Sequence, residues 1–245
     1  MSTDQEFSLS LPPLNASDIP PQQTIITAGR RLIDSTSTSS WKQGKTYGSV
    51  KTLSRPKTKN GKGDEAETWH CRVSTHAPEE ATFDAMWAGL AQNKAVNEKA
   101  YVYLSSLASF IPELTSTSKV ASISPTAEIW TLGYTFPWPV SPRVFTVLQV
   151  VHLDEEKREG IIVSIPIVPS TETKGAVRGR YVSVETLREV EVENGVGGQK
   201  KTVTEWRMAT ASTTGGLIPV FVAEASLPGK ISEDVPRFLE WLKAA

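Results

Sequence analysis

Hydrophobic positions change their spacing four times along the chain, and the changes divide it. Between residues 1 and 66 apolar residues are sparse: Pro12, Pro13, Pro20 and Pro21 punctuate the start, and Ser35–Ser40 and Lys57–Gly63 are polar runs. Ile25, Ile26, Leu32 and Ile33 form a short amphipathic patch that predicts a helical turn, and Trp41, Tyr47, Val50 and Leu53 predict a short strand or hairpin near 46–54. The rest of this stretch holds few side chains able to fill a core and is expected as an irregular, partly flexible arm with loops. From Trp69 to Thr75 the period is two, with Trp69, Cys71 and Val73 on one face and His70, Arg72 and Ser74 on the other. Phe83, Met86, Trp87 and Leu90 then recur at i, i+3, i+4 and i+7, one apolar helical face, with Pro78 suited to its first turn. A second helix is predicted over roughly 95–111, with Tyr103, Leu104, Leu107, Phe110 and Ile111 on its face, closed by Pro112 and the Thr115–Ser118 cluster.

From Ala127 the period is two again. Glu128, Trp130, Leu132 and Tyr134 alternate with Ile129, Thr131 and Gly133. Val144–His152 and Gly160–Ile167 are β-prone and joined by a charged hairpin tip, Asp154–Glu159. Val177–Val192 predicts one long, bent strand, Asn194–Gly198 a turn, and Thr202–Ser212 the last strand. Trp206 and Met208 share its apolar face while Glu205 and Arg207 share the other, as in a sheet wet on one side. The C-terminus predicts a helix in two pieces, Ile218, Phe221, Val222 and Ala225 forming one apolar face and Val235, Phe238, Leu239 and Leu242 the next, broken at Pro228-Gly229. Helix, antiparallel strands and a long C-terminal helix, in that order, predict an α+β helix-grip fold: a curved antiparallel sheet wrapped on the last helix around an internal apolar cavity.

Composition narrows the function class. The chain has 245 residues, 26 basic and 27 acidic, and a formal net charge of -1, a balance that argues against a nucleic-acid partner. Its single cysteine, Cys71, permits no disulfide within the chain and fits a reducing compartment. No basic segment followed by an apolar core opens the sequence, and no apolar run reaches the ~18 residues needed to span a bilayer. The expected localisation is cytoplasmic.

Two segments carry a family resemblance. Pro137-Trp-Pro-Val-Ser-Pro-Arg-Val-Phe145 resembles the proline-rich corner of START domains, the StAR-related lipid-transfer domains. Thr202–Ala211 running into Thr213-Thr-Gly-Gly-Leu-Ile-Pro219 resembles the START segment in which a Trp-bearing strand enters a Gly-Gly turn. Gly179-Arg-Tyr-Val-Ser-Val-Glu185 and Asp234–Trp241 resemble a fungal START-like family of unknown function more closely. The resemblance covers roughly residues 67–243, so residues 67–245 are expected to form the START-like domain and 1–66 the arm. Val144 stands where START domains have Asp, and Thr213 and Thr214 replace their Asp-Pro before Gly215. The resemblance implies a helix-grip fold of the START and Bet v 1 type and a sterol, phospholipid or polyketide-like ligand. It implies no catalytic residue.

Candidate chemistry is thin. His70, His76 and His152 have no carboxylate or cysteine partners at ligand spacing, so neither a metal nor a cofactor is expected. His70 and His152 read as outward or rim residues and Cys71 as a buried, inert thiol. Arg143 reads as a loop brace that satisfies carbonyls at the proline-rich corner. The residues expected to meet a ligand are Trp69, Trp130, Tyr134, Phe145, Gln149, Arg180, Tyr181, Trp206, Met208 and Phe221, with Arg180 beside Glu128 or Glu185 the candidate inward ion pair. A carrier or sensor of a hydrophobic small molecule is favoured over an enzyme. The alternative is a cyclase of a polyketide or terpenoid, using Glu128, Tyr134, Arg180 or Tyr181. Transient membrane contact through the basic loop at Lys57–Lys62 with Lys42 and Lys45 is a further expectation.

Overall fold

A computed structural model describes residues 6–91, 111, 113–136, 138, 140–170, 175–193, 200–213, 215–216 and 220–244. Its frame is one ten-stranded sheet. The strands are β1 Lys42–Gln43, β2 Lys51–Arg55, β3 Trp69–His76, β4 Leu114–Ser124 and β5 Ala127–Tyr134. They continue as β6 Arg143–Asp154, β7 Glu159–Pro166, β8 Val177–Arg178, β9 Arg180–Glu193 and β10 Lys200–Thr213. The order is β1-β2-β3-β10-β9-β7-β6-β5-β4, antiparallel throughout, with β8 added parallel to β6. Among the described residues three α-helices lie against it: α1 Gln22–Ser35, α2 Phe83–Ala91 and α3 Val220–Ala244.

Each face of the sheet has its own core, because antiparallel neighbours share a face and alternate positions switch it. On the outer face Ile25, Leu32 and Ile33 of α1 pack onto Trp69, Cys71, Leu148, Val163, Val184 and Ala209. On the inner face Phe83, Met86 and Leu90 of α2 and Val235, Phe238 and Leu239 of α3 pack onto Ile162, Leu187 and Trp206. A third cluster, Leu114, Trp130, Leu132 and Val147, continues the inner face toward β4. This is the helix-grip arrangement that the order of elements predicts. The sheet is covered on both faces rather than wet on one.

Local differences have local causes. The patch at Ile25 is a full helix whose buried stripe includes Ala28 and Gly29. Helix α2 begins at Phe83 rather than Pro78, where the Ala85 amide donates to Thr82 Oγ1 at 3.2 Å, an N-terminal cap. Thr115–Ser118, read as the cluster that closes a helix, lie in the edge strand β4. The predicted helix over 95–111 and the turn at 194–198 lie outside the described residues, save Ile111. The long strand starting at Val177 divides at Gly179, a position where a side chain would collide with the Phe145 ring. Gly215 and Gly216 have φ of 62° and 65°, so the Gly-Gly turn before α3 uses the left-handed backbone that glycine tolerates. Helix α3 is continuous through Pro228 and Pro236. Proline removes its own amide from the ladder and its ring crowds the carbonyl one turn back, and the burial of Ile231, Val235 and Phe238 offsets that cost.

Candidate ligand-binding cup

A cleft of about 840 Å³ opens on the inner face beside β5 and β6. Trp87 and Ala91 of α2, Trp130 of β5, and Val151 and Leu153 of β6 give it apolar walls. Glu128 and Gln149 supply polar groups, and Gln22, Gln23 and Ile26 of α1, the Pro125-Thr126 turn and His152 form its rim. These groups converge because β5 and β6 are adjacent, with Glu128 opposite Gln149 and Trp130 opposite Val147.

The Glu128 carboxylate is fixed by its neighbours. Lys119 Nζ on β4 donates to Oε1 at 2.7 Å and Trp130 Nε1 donates to Oε2 at 3.1 Å. The hydrogen bond from Lys119, opposed by slight burial and aided by the Lys119 charge and the Trp130 indole, holds Glu128 below the usual carboxylate range. Gln149 is buried, and its Nε2 has no hydrogen-bond partner. The cleft floor thus offers an ionised acceptor beside a free amide donor.

Toward the proline-rich corner the inner face is aromatic. Tyr134 meets Phe145 edge-on at 5.3 Å between ring centroids, and Phe145 meets Tyr181 at 5.5 Å. Arg143 is buried beside them, its guanidinium 5.7 Å from the Phe136 ring centre and its Nη1 donating to the Ser141 carbonyl. It braces the corner.

Below α3 lies a buried ion pair. Arg72 Nη2 of β3 is 3.9 Å from Glu185 Oε2 of β9, and its guanidinium stands 3.8 Å over the Trp206 ring. Trp206 Nε1 donates to the same Glu185 oxygen at 3.2 Å, and Met208 Sδ is 3.9 Å from Arg72 Nη2. Arg180 is exposed and has no part in this pair. Strand parity explains the difference: Arg180 alternates with Tyr181, Ser183 and Glu185, so it faces away from the cup. Arg72 stood in the alternation of β3, on the face shared with His70 and Ser74. Charge suggested that this face met solvent, whereas α3 covers it.

The ligand candidates read from the sequence fall into distinct places. Trp130 and Gln149 line the cleft, and Tyr134, Phe145 and Tyr181 form the aromatic end. Trp206 and Met208 surround Arg72 beneath α3. Trp69 lies on the opposite face, packed under α1, because its parity is that of Cys71. Phe221 belongs to α3, with its side chain outside the described part. His70 is buried rather than outward. His76 pairs with Ser74 and Glu80 at 2.8 and 2.9 Å. Burial pushes the Cys71 thiol up to about 12, leaving almost no thiolate at neutral pH. Among the described residues no three His, Cys, Asp or Glu side chains converge as metal ligands, and no helix is long and apolar enough to cross a membrane.

Comparisons with known proteins agree with this geometry. Human StAR-related lipid transfer protein 5 superposes with a TM-score of 0.67 at 14% identity, covering 91% of this chain and 95% of that one. Human STARD10 gives 0.67 at 10% identity, over 92% and 80% of the two chains. A STAR-related lipid transfer protein from Xanthomonas axonopodis gives 0.59 at 16% identity, over 84% and 99%. At these identities the likeness establishes the START helix-grip fold. Curated protein sequences give no match. Residues 69–242 match the family model described as protein of unknown function DUF3074, and the chain belongs to that family.

Proposed function

We propose that the protein binds one hydrophobic or amphipathic small molecule in the cup on the inner face of the sheet, beside β5, β6 and α2, and carries or senses it. The observation that supports this most is the cleft itself. Its volume of about 840 Å³ is in the range that encloses a small ligand, and its walls join Trp87, Trp130, Val151 and Leu153 to the fixed Glu128 carboxylate and the free Gln149 amide. Such a site takes an apolar body with at least one hydroxyl, donated to Glu128, or one carbonyl, accepting from Gln149. Sterol, phospholipid and polyketide-like molecules all meet that description. The names of the similar structures, which are lipid transfer proteins, support the same class.

Lys119 holds Glu128 ionised, so in a cyclase acting in the same cup this carboxylate would serve as a base and not as an acid. A carrier must also meet a membrane. Trp138, 92% exposed in the connection from β5 to β6, is the group best suited to enter a lipid interface. Basic loop residues assist it only weakly, at ~1 kcal/mol each near an anionic surface.

The test is solvent extraction of the purified protein followed by mass spectrometry, beside an unrelated protein from the same host. One defined lipid near equimolar amount is expected. Recovery of host lipids no richer than in the control, together with no uptake from mixed-lipid vesicles, rejects the carrier. In the same vesicle assay Trp138→Ala is expected to slow uptake about tenfold while leaving the thermal midpoint unchanged. Equal uptake rates would remove Trp138 from the contact.

A further inference from the structure

The inner face carries a polar row that the cleft alone does not explain. Gln149 of β6 pairs with Ser164 of β7, Ser164 with Ser183 of β9, Ser183 with Thr210 of β10, and Thr210 with His70 of β3. Cross-strand partners share a face, so these five side chains form one line at right angles to the strands. With strands about 4.8 Å apart, four spacings make the line roughly 19 Å long. Glu128 extends it at β5. All five residues are at most 7% exposed. The flanking positions are apolar, as with Val147, Val151 and Ile162, or hold the Arg72–Glu185 pair, in which Arg72 Nε and Nη1 also lack a hydrogen-bond partner.

Several of these polar atoms have nothing to bond. Gln149 Nε2, Ser164 Oγ and both ring nitrogens of His70 lack a hydrogen-bond partner. Buried polar atoms are almost always paired, and an unpaired one destabilises the fold. Four such atoms in one register line, starting at the cleft, mark a surface shaped for oxygen and nitrogen atoms from outside the chain.

We infer that this row is a recognition element for a ligand bearing hydroxyl and carbonyl groups along its length, a polyoxygenated fused-ring compound lying across the strands. The inference rests on the cup being a ligand site. A lipid with a single polar end satisfies one position and leaves the others unpaired. A polyoxygenated ring system meets several at once: its carbonyls accept from Gln149 and His70, and its hydroxyls bond Ser164, Ser183 and Thr210. Its flat apolar faces suit the Trp130 and Tyr181 side of the cup.

The experiment compares two probes of one skeleton on the full chain, anthracene and a trihydroxylated anthraquinone, by quenching of tryptophan emission. A fluorescent sterol with one hydroxyl is the third probe. The anthraquinone is expected to bind at least about tenfold tighter than anthracene, as one or two added hydrogen bonds would give. Ser164→Ala and Ser183→Ala are each expected to shrink that ratio about threefold or more. Ser164→Ala is also expected to leave the thermal midpoint of the ligand-free protein level or higher, because it deletes an unpaired buried hydroxyl. A structural role for Ser164 would lower that midpoint instead. Equal affinities for the two ring probes, or a ratio untouched by both substitutions, overturns the inference while sterol or anthracene binding keeps the cup reading. Failure of all three probes to bind overturns both.

Discussion

Arg72 shows how much one side chain can organise. It is 1% exposed, stacked on Trp206 and held 3.9 Å from Glu185. Burial pushes its pKa down and Glu185, with Asp234 of α3, pushes it back up. Removing one member of a buried pair leaves the other charge uncompensated, which is worse than having neither. Arg72→Met is therefore expected to lower unfolding free energy by about 3–5 kcal/mol in urea titrations. Adding Glu185→Gln is expected to recover at least half of that. A single-variant loss below about 1 kcal/mol would mean that water reaches the pair. The alternation that separates Arg72 from Trp69 and Cys71 is legible in eight residues of sequence. Its inward direction is not, because the partner Glu185 and the covering α3 arrive from the far end of the chain. The same gap misassigned His70, read as outward although it is buried, and Arg180, read as the inward partner of Glu128 or Glu185 although its parity turns it to solvent.

Elements were legible where their period was clean. Helix α2 and strands β5 and β10 follow from i, i+3, i+4 spacing or alternation because large side chains mark their buried faces, and β6 and β7 follow from continuous β-prone runs. Helix α1 is longer than its apolar residues indicate, since Ala28 and Gly29 complete its stripe and leave no hydrophobic mark. Strand β4 escaped notice for a different reason. It is an edge strand of mostly exposed Ser, Thr and Lys with register shifts near Val120 and Ile123, so little burial imposes a period. Helix α3 was split at Pro228 by a rule about local backbone that tertiary packing overrides. Ser232 Oγ donates to the Pro228 carbonyl at 2.7 Å, an added bond one turn past the proline. The missing amide still has a price. Pro228→Ala restores a donor to the ladder and is expected to raise stability by about 1–3 kcal/mol, visible as a higher thermal midpoint. A lower midpoint would mean that the bend the proline imposes is needed to seat α3 on β3.

At the scale of the whole molecule, the order of elements already specifies a sheet gripping its last helix, while the closing of both faces depends on contacts that only the folded chain reveals. His70 makes that closing sensitive to acid. It lies on β3 beneath α3, on the same strand face as Arg72, and the charge of Glu224 on α3 acts on it. Burial lowers its pKa from the ordinary 6.5, and the opposing pull of Glu224 is smaller, so the folded protein holds it neutral. In the unfolded chain the ring takes up a proton near pH 6.5, before the folded one does. The unfolded state therefore binds more protons between the two values, and stability is complete above about 6.5 and falls as pH drops through that window. The carboxylates with depressed values, Asp84, Asp154 and Glu128 among them, act in the same direction only in the ordinary carboxylate range and below. The two contributions separate by pH. Urea midpoints measured at about pH 7.5, 6 and 5 are expected to fall for the natural chain and to fall less for His70→Gln, which cannot titrate there. Identical slopes for the two proteins would mean that His70 reaches solvent and that α3 does not close over β3 at this point.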